Sequence, residues 1–339
     1  MAGLGEFELI RRFFERGRPA TAAVALGIGD DCALLETGGP ELLAVSTDML
    51  VADRHFFADV DPAALGHKAL AVNLSDLAAI GARPLGCTLA LALPAAEAGW
   101  LEAFSGGLLA LADAHGCPLV GGDTTRGPLN LCVTVLGTVP AADALRRDRA
   151  RDGDDLWISG AIGAAAWAVQ ARLGAGRWPS PGEQGPDGVD ARALASARAR
   201  LERPEPRVAL GLALRGVAHA AIDLSDGLVG DLGHLVARSS SAAGVALGAA
   251  IEVDALPLDA ALAALPRERR VALALAGGDD YELLFAAPPS RRDEIGAIAA
   301  RTGLTLTRVG RIDAGPGIRL LDAEGRATAP NARSFDHFA

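Results

Sequence analysis

A mixed α/β fold divided into two domains is what this sequence predicts, on three observations. Apolar runs of strand length alternate with alanine-rich stretches of helical character. The chain has 339 residues, enough for about two domains that each bury a core. A strand-like run ending at Val139-Pro140 is followed by the arginine-rich segment 146–151 and by Gly153-Asp154-Asp155, which opens a new strand. The boundary is placed there, with an N-terminal domain over 1–145 and a C-terminal α/β domain over 146–339.

Taken in order, the first strand-like run is 42–45, ahead of Ser46-Thr47-Asp48. Asp61 and Pro62 then open a helix, because Asp caps well and Pro in the first turn lacks only an N–H that has no partner there. At about 100° per residue, Leu65, Ala69, Val72 and Asp76 fall on one stripe. Asp76 therefore points inward, where a carboxylate is costly unless a cation or several hydrogen bonds meet it. A metal ligand and a half-exposed cap for a neighbouring element are the two readings of it. Strand runs follow at 85–93, 119–120 and 129–139, then past the boundary at 156–158, 218–222 and 281–286, with helices packed on the sheets. The stretch 174–206, rich in Pro, Gly and Arg, reads as a surface excursion with one short helix around 191–201. The order Gly-Asp-Asp, Leu-Ser-Asp, Gly-Gly-Asp occurs at 29, 74 and 121 and again at 153, 224 and 277, which leaves an internal duplication open.

Composition removes most competing chemistries. With 32 Lys+Arg against 42 Asp+Glu, the net charge is −10, which disfavours nucleic acid or an anionic membrane as partner. Lys68 is the sole lysine and follows His67 rather than a glycine loop, so the P-loop pattern is absent. The patterns GxGxxG, HExxH, GxSxG and CxxC are absent too, against dinucleotide, zincin, serine-hydrolase and thiol-redox readings. Cys32, Cys87, Cys117 and Cys132 lie scattered in apolar surroundings and read as reduced core residues. There is no signal-peptide pattern, and the uncharged stretch 156–171, which no other exceeds in length, falls short of the roughly 20 residues of a spanning helix. A soluble, cytoplasmic protein is expected.

Aspartate recurs at the ends of apolar or glycine-rich runs: Gly29-Asp30-Asp31, Ser46-Thr47-Asp48, Leu74-Ser75-Asp76, Gly121-Gly122-Asp123, Asp223-Leu224-Ser225-Asp226 and Gly278-Asp279-Asp280. Carboxylates beside hydroxyls and bare backbone suit hard cations such as Mg²⁺, which usually arrive with phosphates. Singly, Asp30, Asp31 and Asp48 read as ordinary turn and cap residues; the six sites together exceed what turns need. A helix N-cap explains one of Asp223 and Asp226, ahead of Gly227-Leu228, and leaves the other without a role. His55 reads as a loop histidine before the core pair Phe56-Phe57, and Arg147 as part of a solvated basic run.

The segments GEFELIRRFF, GIGDDCALL, STDMLVADRHF, KALAVNLSDLAAIGA, GGDTTRG, AIDLSDGL, GGDDYELLF and the terminal DHF together resemble the thiamine-monophosphate kinase family, in order and across nearly the whole chain. That family is similar to the aminoimidazole-ribonucleotide synthetase superfamily. The resemblance implies a two-domain α/β protein whose N-terminal sheets pair in a homodimer, with ATP as co-substrate bound between the domains. It implies several Mg²⁺ ions on Asp31, Ser46, Thr47, Asp48, Asp76, Asp123, Asp223 and Asp226, with Asp30 beside them. It further implies ATP contacts by Gly106, Gly122, Asp123, Arg147 and Ser225, and substrate contacts by His55 and Asp279. Two departures stand out. Asp279 replaces the glutamate of the GGEDYEL version of its motif, and Ala332 stands where the family commonly has a tryptophan. Either Phe335 or Phe338, with Phe335 nearer, supplies the aromatic face for the substrate, or that face is lost and the substrate binds more weakly.

Charge gives the expected mechanism. Phosphorylating a monoester with ATP brings about six negative charges together, ATP supplying about four and the monoester up to about two. A −10 chain with one lysine needs several cations to neutralise them. The nucleophile, a phosphate oxygen with second pKa about 6, is already ionised and needs no strong base. Thiamine monophosphate is the expected acceptor. An amide-activating synthetase of the same superfamily and a non-catalytic cation-binding module are the alternatives, the latter without EF-hand spacing.

Overall fold

The computed structural model describes residues 6–15, 21–178 and 190–330. A short helix, α1 (Glu6–Phe13), precedes β1 (Val24–Leu26), β2 (Ala33–Glu36), β3 (Glu41–Val51), α2 (Pro62–Ala79), β4 (Arg83–Leu93), α3 (Ala98–His115), β5 (Leu119–Arg126) and β6 (Asn130–Pro140). These strands form one sheet of order β1-β2-β3-β6-β4-β5, antiparallel except for the β4–β5 pair, whose crossover is α3.

The second half runs β7 (Asp155–Ser159), α4 (Ala164–Ala175), α5 (Ala191–Glu202), α6 (Val208–Leu214), β8 (Ala220–Asp223), α7 (Leu228–Ala243), β9 (Leu247–Glu252), α8 (Arg267–Ala276), β10 (Leu283–Ala287), α9 (Arg292–Thr302), β11 (Leu306–Ala314), β12 (Gly317–Leu321) and β13 (Ala327–Thr328). Its sheet has the order β13-β12-β9-β11-β7-β10-β8. Mixed α and β with helices on sheets is thus the observed class.

Helix α2 positions the site. Asp61 caps it, its carboxylate accepting from the Ala64 N–H at 2.8 Å, and Pro62 occupies the first turn, as expected. The helix is buried nearly all round, as a helix between two layers must be. It lies against α3 so closely that a Cβ on Gly66 would come within 2.0 Å of the Phe104 carbonyl oxygen. One core cluster joins α2, α3 and the first sheet, and a second lies beneath α7 and α8. The predicted surface excursion is in part a packed element, since Leu194, Ala197 and Leu201 of α5 are buried with α4 in a third cluster.

Several expectations need correction. Ser46-Thr47-Asp48 and Gly121-Gly122-Asp123 do not end their strands. Pairing with β6 carries β3 on to Val51, and pairing with β4 carries β5 on to Arg126. The repeated tripeptides are not structurally equivalent: Leu74-Ser75-Asp76 lies inside α2, Leu224-Ser225-Asp226 in a loop. Strands β1, β2, β9, β11, β12 and β13 are additional to those predicted. No helix among the described residues is long and apolar enough to cross a membrane.

Candidate active site

The two halves enclose a cleft of about 1690 Å³ on one side of α2. At its centre Asp31, Asp76 and Asp223 each place an oxygen within 4.8 Å of the others. They come from three elements: the bend before β2, the last turns of α2 and the end of β8. Ser46 of β3 donates to Asp76 Oδ2 at 2.5 Å, and Ser75 of α2 donates to Asp223 Oδ2 at 2.6 Å. Asn73 accepts from the Asp48 N–H at 3.1 Å and donates to the Ala69 carbonyl at 3.0 Å, tying β3 to α2.

The cluster is electrostatically loaded. Burial, followed by the charges of Asp48, Asp223 and Asp31, raises the Asp76 carboxyl well above the ordinary range, against the Ser46 hydrogen bond. Burial and then Asp31 do the same to Asp223. Burial and then Asp31 push Asp30 up to about 7. Carboxylates so crowded call for a cation. The donor set suits Mg²⁺: opposite ligand oxygens across an ion with bonds of about 2.1 Å lie about 4.2 Å apart. The three carboxylates, with oxygens within 4.8 Å of one another, can therefore reach one such ion.

Arg147 is not part of a solvated run. Its side chain is 15 % exposed, donating from Nε to Asp31 Oδ2 at 2.8 Å and from a second nitrogen to Oδ1, while its backbone N–H donates to Asp30 Oδ2 at 3.0 Å. Burial opposes its charge, but Asp31 and Asp30 outweigh that and hold the guanidinium charged. Neither Asp223 nor Asp226 caps α7. Asp231 does so from within the helix, accepting from the Asp226 and Gly227 N–H groups at 3.2 and 3.1 Å.

His55, Phe57, Lys68, Asp279 and Tyr281 line the cleft as well. His55 Nδ1 accepts from the Val51 N–H at 3.0 Å, and Lys68 donates to Asp279 at 2.6 Å. Gly27, Ile28, Gly29, His234 and Arg238 line the cleft too. The structure therefore brings Asp30, Asp31, Ser46, Thr47, Asp48, His55, Asp76, Arg147, Asp223, Ser225, Asp226 and Asp279 to one cavity. Gly106, exposed on α3, and Gly122 and Asp123, exposed on the edge strand β5, do not line it. Ala332 and Phe335 lie outside the described residues. Sequence reasoning did not reach Asn73, Ser75, Lys68, Tyr281, Asp231 and His234. A lone lysine on the stripe side of a buried helix was the one available signal.

Two α/β halves closing on an acidic cleft define a protein of the AIR synthase-related class, and residues 29–139 match the family described as AIR synthase related protein, N-terminal domain. A curated relative, the thiamine-monophosphate kinase of Salmonella typhimurium, is 44% identical over 340 residues, covering 99% of this chain and 98% of its own. Among solved structures, the thiamine-monophosphate kinase of Stenotrophomonas maltophilia superposes with TM-score 0.77 at 47% identity, over 91% of this chain and 93% of that one. AaThiL complexed with AMPPCP and TMP superposes with TM-score 0.80 at 28% identity, over 98% and 97%. The chain belongs to the thiamine-monophosphate kinase family.

Proposed function

We propose that this protein transfers the γ-phosphoryl group of ATP to thiamine monophosphate, giving thiamine diphosphate and ADP. The observation that carries the reading is the cluster of Asp31, Asp76 and Asp223 in a cleft large enough for two phosphorylated ligands, in a chain of this family. Mg²⁺ ions held by Asp31, Asp48, Asp76, Asp223 and Asp226, with Ser46 and Thr47 alongside, would neutralise the phosphates and draw charge from the transferring phosphoryl.

The chain's own groups do the rest by positioning and fixed charge. Arg147, whose Nε and one terminal nitrogen are held by Asp31, would offer its permanent charge and its remaining guanidinium donors to the nucleotide phosphates. Ser225 lies in the same loop as Asp226 and would meet the nucleotide beside them. His55 and Asp279, which line the same cleft, face the acceptor. Phe57 lines the cleft too, which gives the acceptor an aromatic neighbour among the described residues. No general base is required, because the acceptor phosphate is already largely ionised near neutral pH.

The working form is a homodimer. Met49, Cys132, Ala90 and Asp123 form one row across the first sheet. That row lies on the face turned away from α2, where Met49 is 55 % exposed, and Val120 nearby is 63 % exposed. Thr47, Met49 and Val51 on that face also line the cleft. A second sheet packed there would cover this apolar surface and deliver Gly122 and Asp123 to the partner's cleft. The division at 145/146 separates the dimer-forming half from the half that completes the cleft. Unpaired cysteines, three of the four buried, suit a cytoplasmic setting.

The test is ADP release by purified protein with MgATP, with and without thiamine monophosphate. ADP that depends on thiamine monophosphate is expected. ADP that appears only with an amide or amidine-forming acceptor contradicts the reading.

A further inference from the structure

Lys68 is the only lysine of the chain and its side chain is 3 % exposed, a costly placement for a compact, strongly hydrated ammonium. Its Nζ donates to Asp279 Oδ1 at 2.6 Å and to the His55 carbonyl at 3.4 Å. The pair joins residues 211 apart in sequence, from α2 in one half to the loop before β10 in the other. Tyr281 donates its hydroxyl to the same Oδ1 at 3.3 Å. One oxygen of Asp279 thus receives both protein donors, and Oδ2 has no protein partner among the described residues.

The backbone around Asp279 is held with equal care. Asp279 and Tyr281 have φ of 68° and 49°, in the left-handed region that residues other than glycine seldom adopt. Such conformations persist only where the surroundings enforce them, and they cluster at functional sites. Here the Asp279 N–H donates to the Ser225 carbonyl and the Tyr281 N–H to the Leu224 carbonyl, both at 2.8 Å. Asp280 between them accepts from the Gly163 N–H at 2.9 Å. The loop is therefore pinned to the segment that carries Ser225 and Asp226. Lys68 sits on the same helix as Asp76, about 12 Å along its axis from that carboxylate by helical rise.

We propose that Lys68, with Tyr281, is a positioning residue for the acceptor: it ties up one oxygen of Asp279 so that the other faces a cationic, hydrogen-bond-donating group of the substrate. Helix α2 then sets the separation between the carboxylate that holds the acceptor's cationic body and the carboxylates around its phosphate. The inference rests on the kinase reading given above and adds the residue that aims Asp279.

The experiment compares wild type with Lys68→Met, Asp279→Asn and the double variant Lys68→Met/Asp279→Asn. For each, it measures kcat, the KM for thiamine monophosphate, the KM for ATP and the thermal midpoint. Loss of a hydrogen bond to a charged group corresponds to about a tenfold or greater rise in the acceptor KM for all three variants. The KM for ATP stays within about twofold, because the nucleotide does not use this pair. Asp279→Asn alone strands the buried Lys68 ammonium and lowers the midpoint; the double variant regains it and keeps the raised acceptor KM. A double variant that recovers both stability and acceptor KM makes the pair merely structural and overturns the proposal. So does an acceptor KM that Lys68→Met leaves unmoved while wild type turns over. Absence of wild-type turnover with thiamine monophosphate instead overturns the kinase reading itself.

Discussion

Replacing Asp76 by asparagine keeps the side chain's shape and removes one of three charges that the cleft forces together. With oxygens within 4.8 Å, two carboxylates repel by about 3.5 kcal/mol at an effective dielectric constant of about 20. The protein does not bear all of it, because a carboxyl whose pKa is raised by burial and by Asp48, Asp223 and Asp31 sheds part of the cost by taking up a proton. A net gain of about 1 kcal/mol for the metal-free Asp76→Asn protein follows, or about 2 °C in the thermal midpoint. Catalysis moves the other way. Losing one fixed charge from the transition-state environment costs about two to three orders of magnitude in kcat/KM. Mg²⁺ at about a hundred times its dissociation constant stabilises the wild type by about 2.7 kcal/mol, and this shift shrinks in the variant. Thermal melts with and without Mg²⁺, beside ADP release at saturating MgATP, measure all three effects. An active variant whose Mg²⁺-dependent melting shift is intact would refute the assignment of Asp76 to a cation.

Three further outcomes follow from particular contacts. Asp231→Ala frees the Asp226 and Gly227 N–H groups; urea unfolding should show a loss of about 1–2 kcal/mol, and an unchanged midpoint would mean that water replaces the cap. Burial, then Arg147 and Arg238, lowers His234 from 6.5 to about 4. Between those pH values the unfolded chain binds a proton at this histidine that the native one refuses, so His234 by itself lowers stability on acidification from 6.5 towards 4, against the opposite contribution of the raised carboxyls Asp30, Asp76 and Asp223. His234→Asn should lessen that loss by about 2 kcal/mol, and parallel pH profiles would contradict the assignment. Val120→Asp places a charge on the uncovered face of the first sheet; sedimentation should show a monomer with little turnover, whereas an active monomer would remove the dimer from the account.

Asp76 was legible because helical periodicity alone turns it inward with Leu65, Ala69 and Val72, and Asp223 because it closes an apolar strand. The acidic residues of the cleft are local features, each at a turn, a strand or a helix that its neighbours announce. Arg147 was not legible in the same way: its neighbours Arg146 and Arg149 suggest a solvated run, and only the tertiary fold lays it on Asp31. The Lys68–Asp279 pair likewise spans most of the chain, and no local pattern links two residues so far apart. Strand β9 escaped notice because its Leu-Gly-Ala-Ala core is small and carries little strand propensity, and pairing with β11 and β12 decides its state. Asp123 reads as one more acidic motif in the sequence, yet this chain alone does not bring it to the cleft.

The central claim is that the carboxylate cleft moves a phosphoryl group from ATP to a phosphate acceptor. Phosphorus NMR of one reaction mixture containing protein, MgATP and thiamine monophosphate tests it most directly. The monoester resonance should decay while the coupled signals of a new diphosphate grow in step with ADP, and chelating the metal should stop both. Growth of ADP with free inorganic phosphate and an unchanged monoester signal would contradict it.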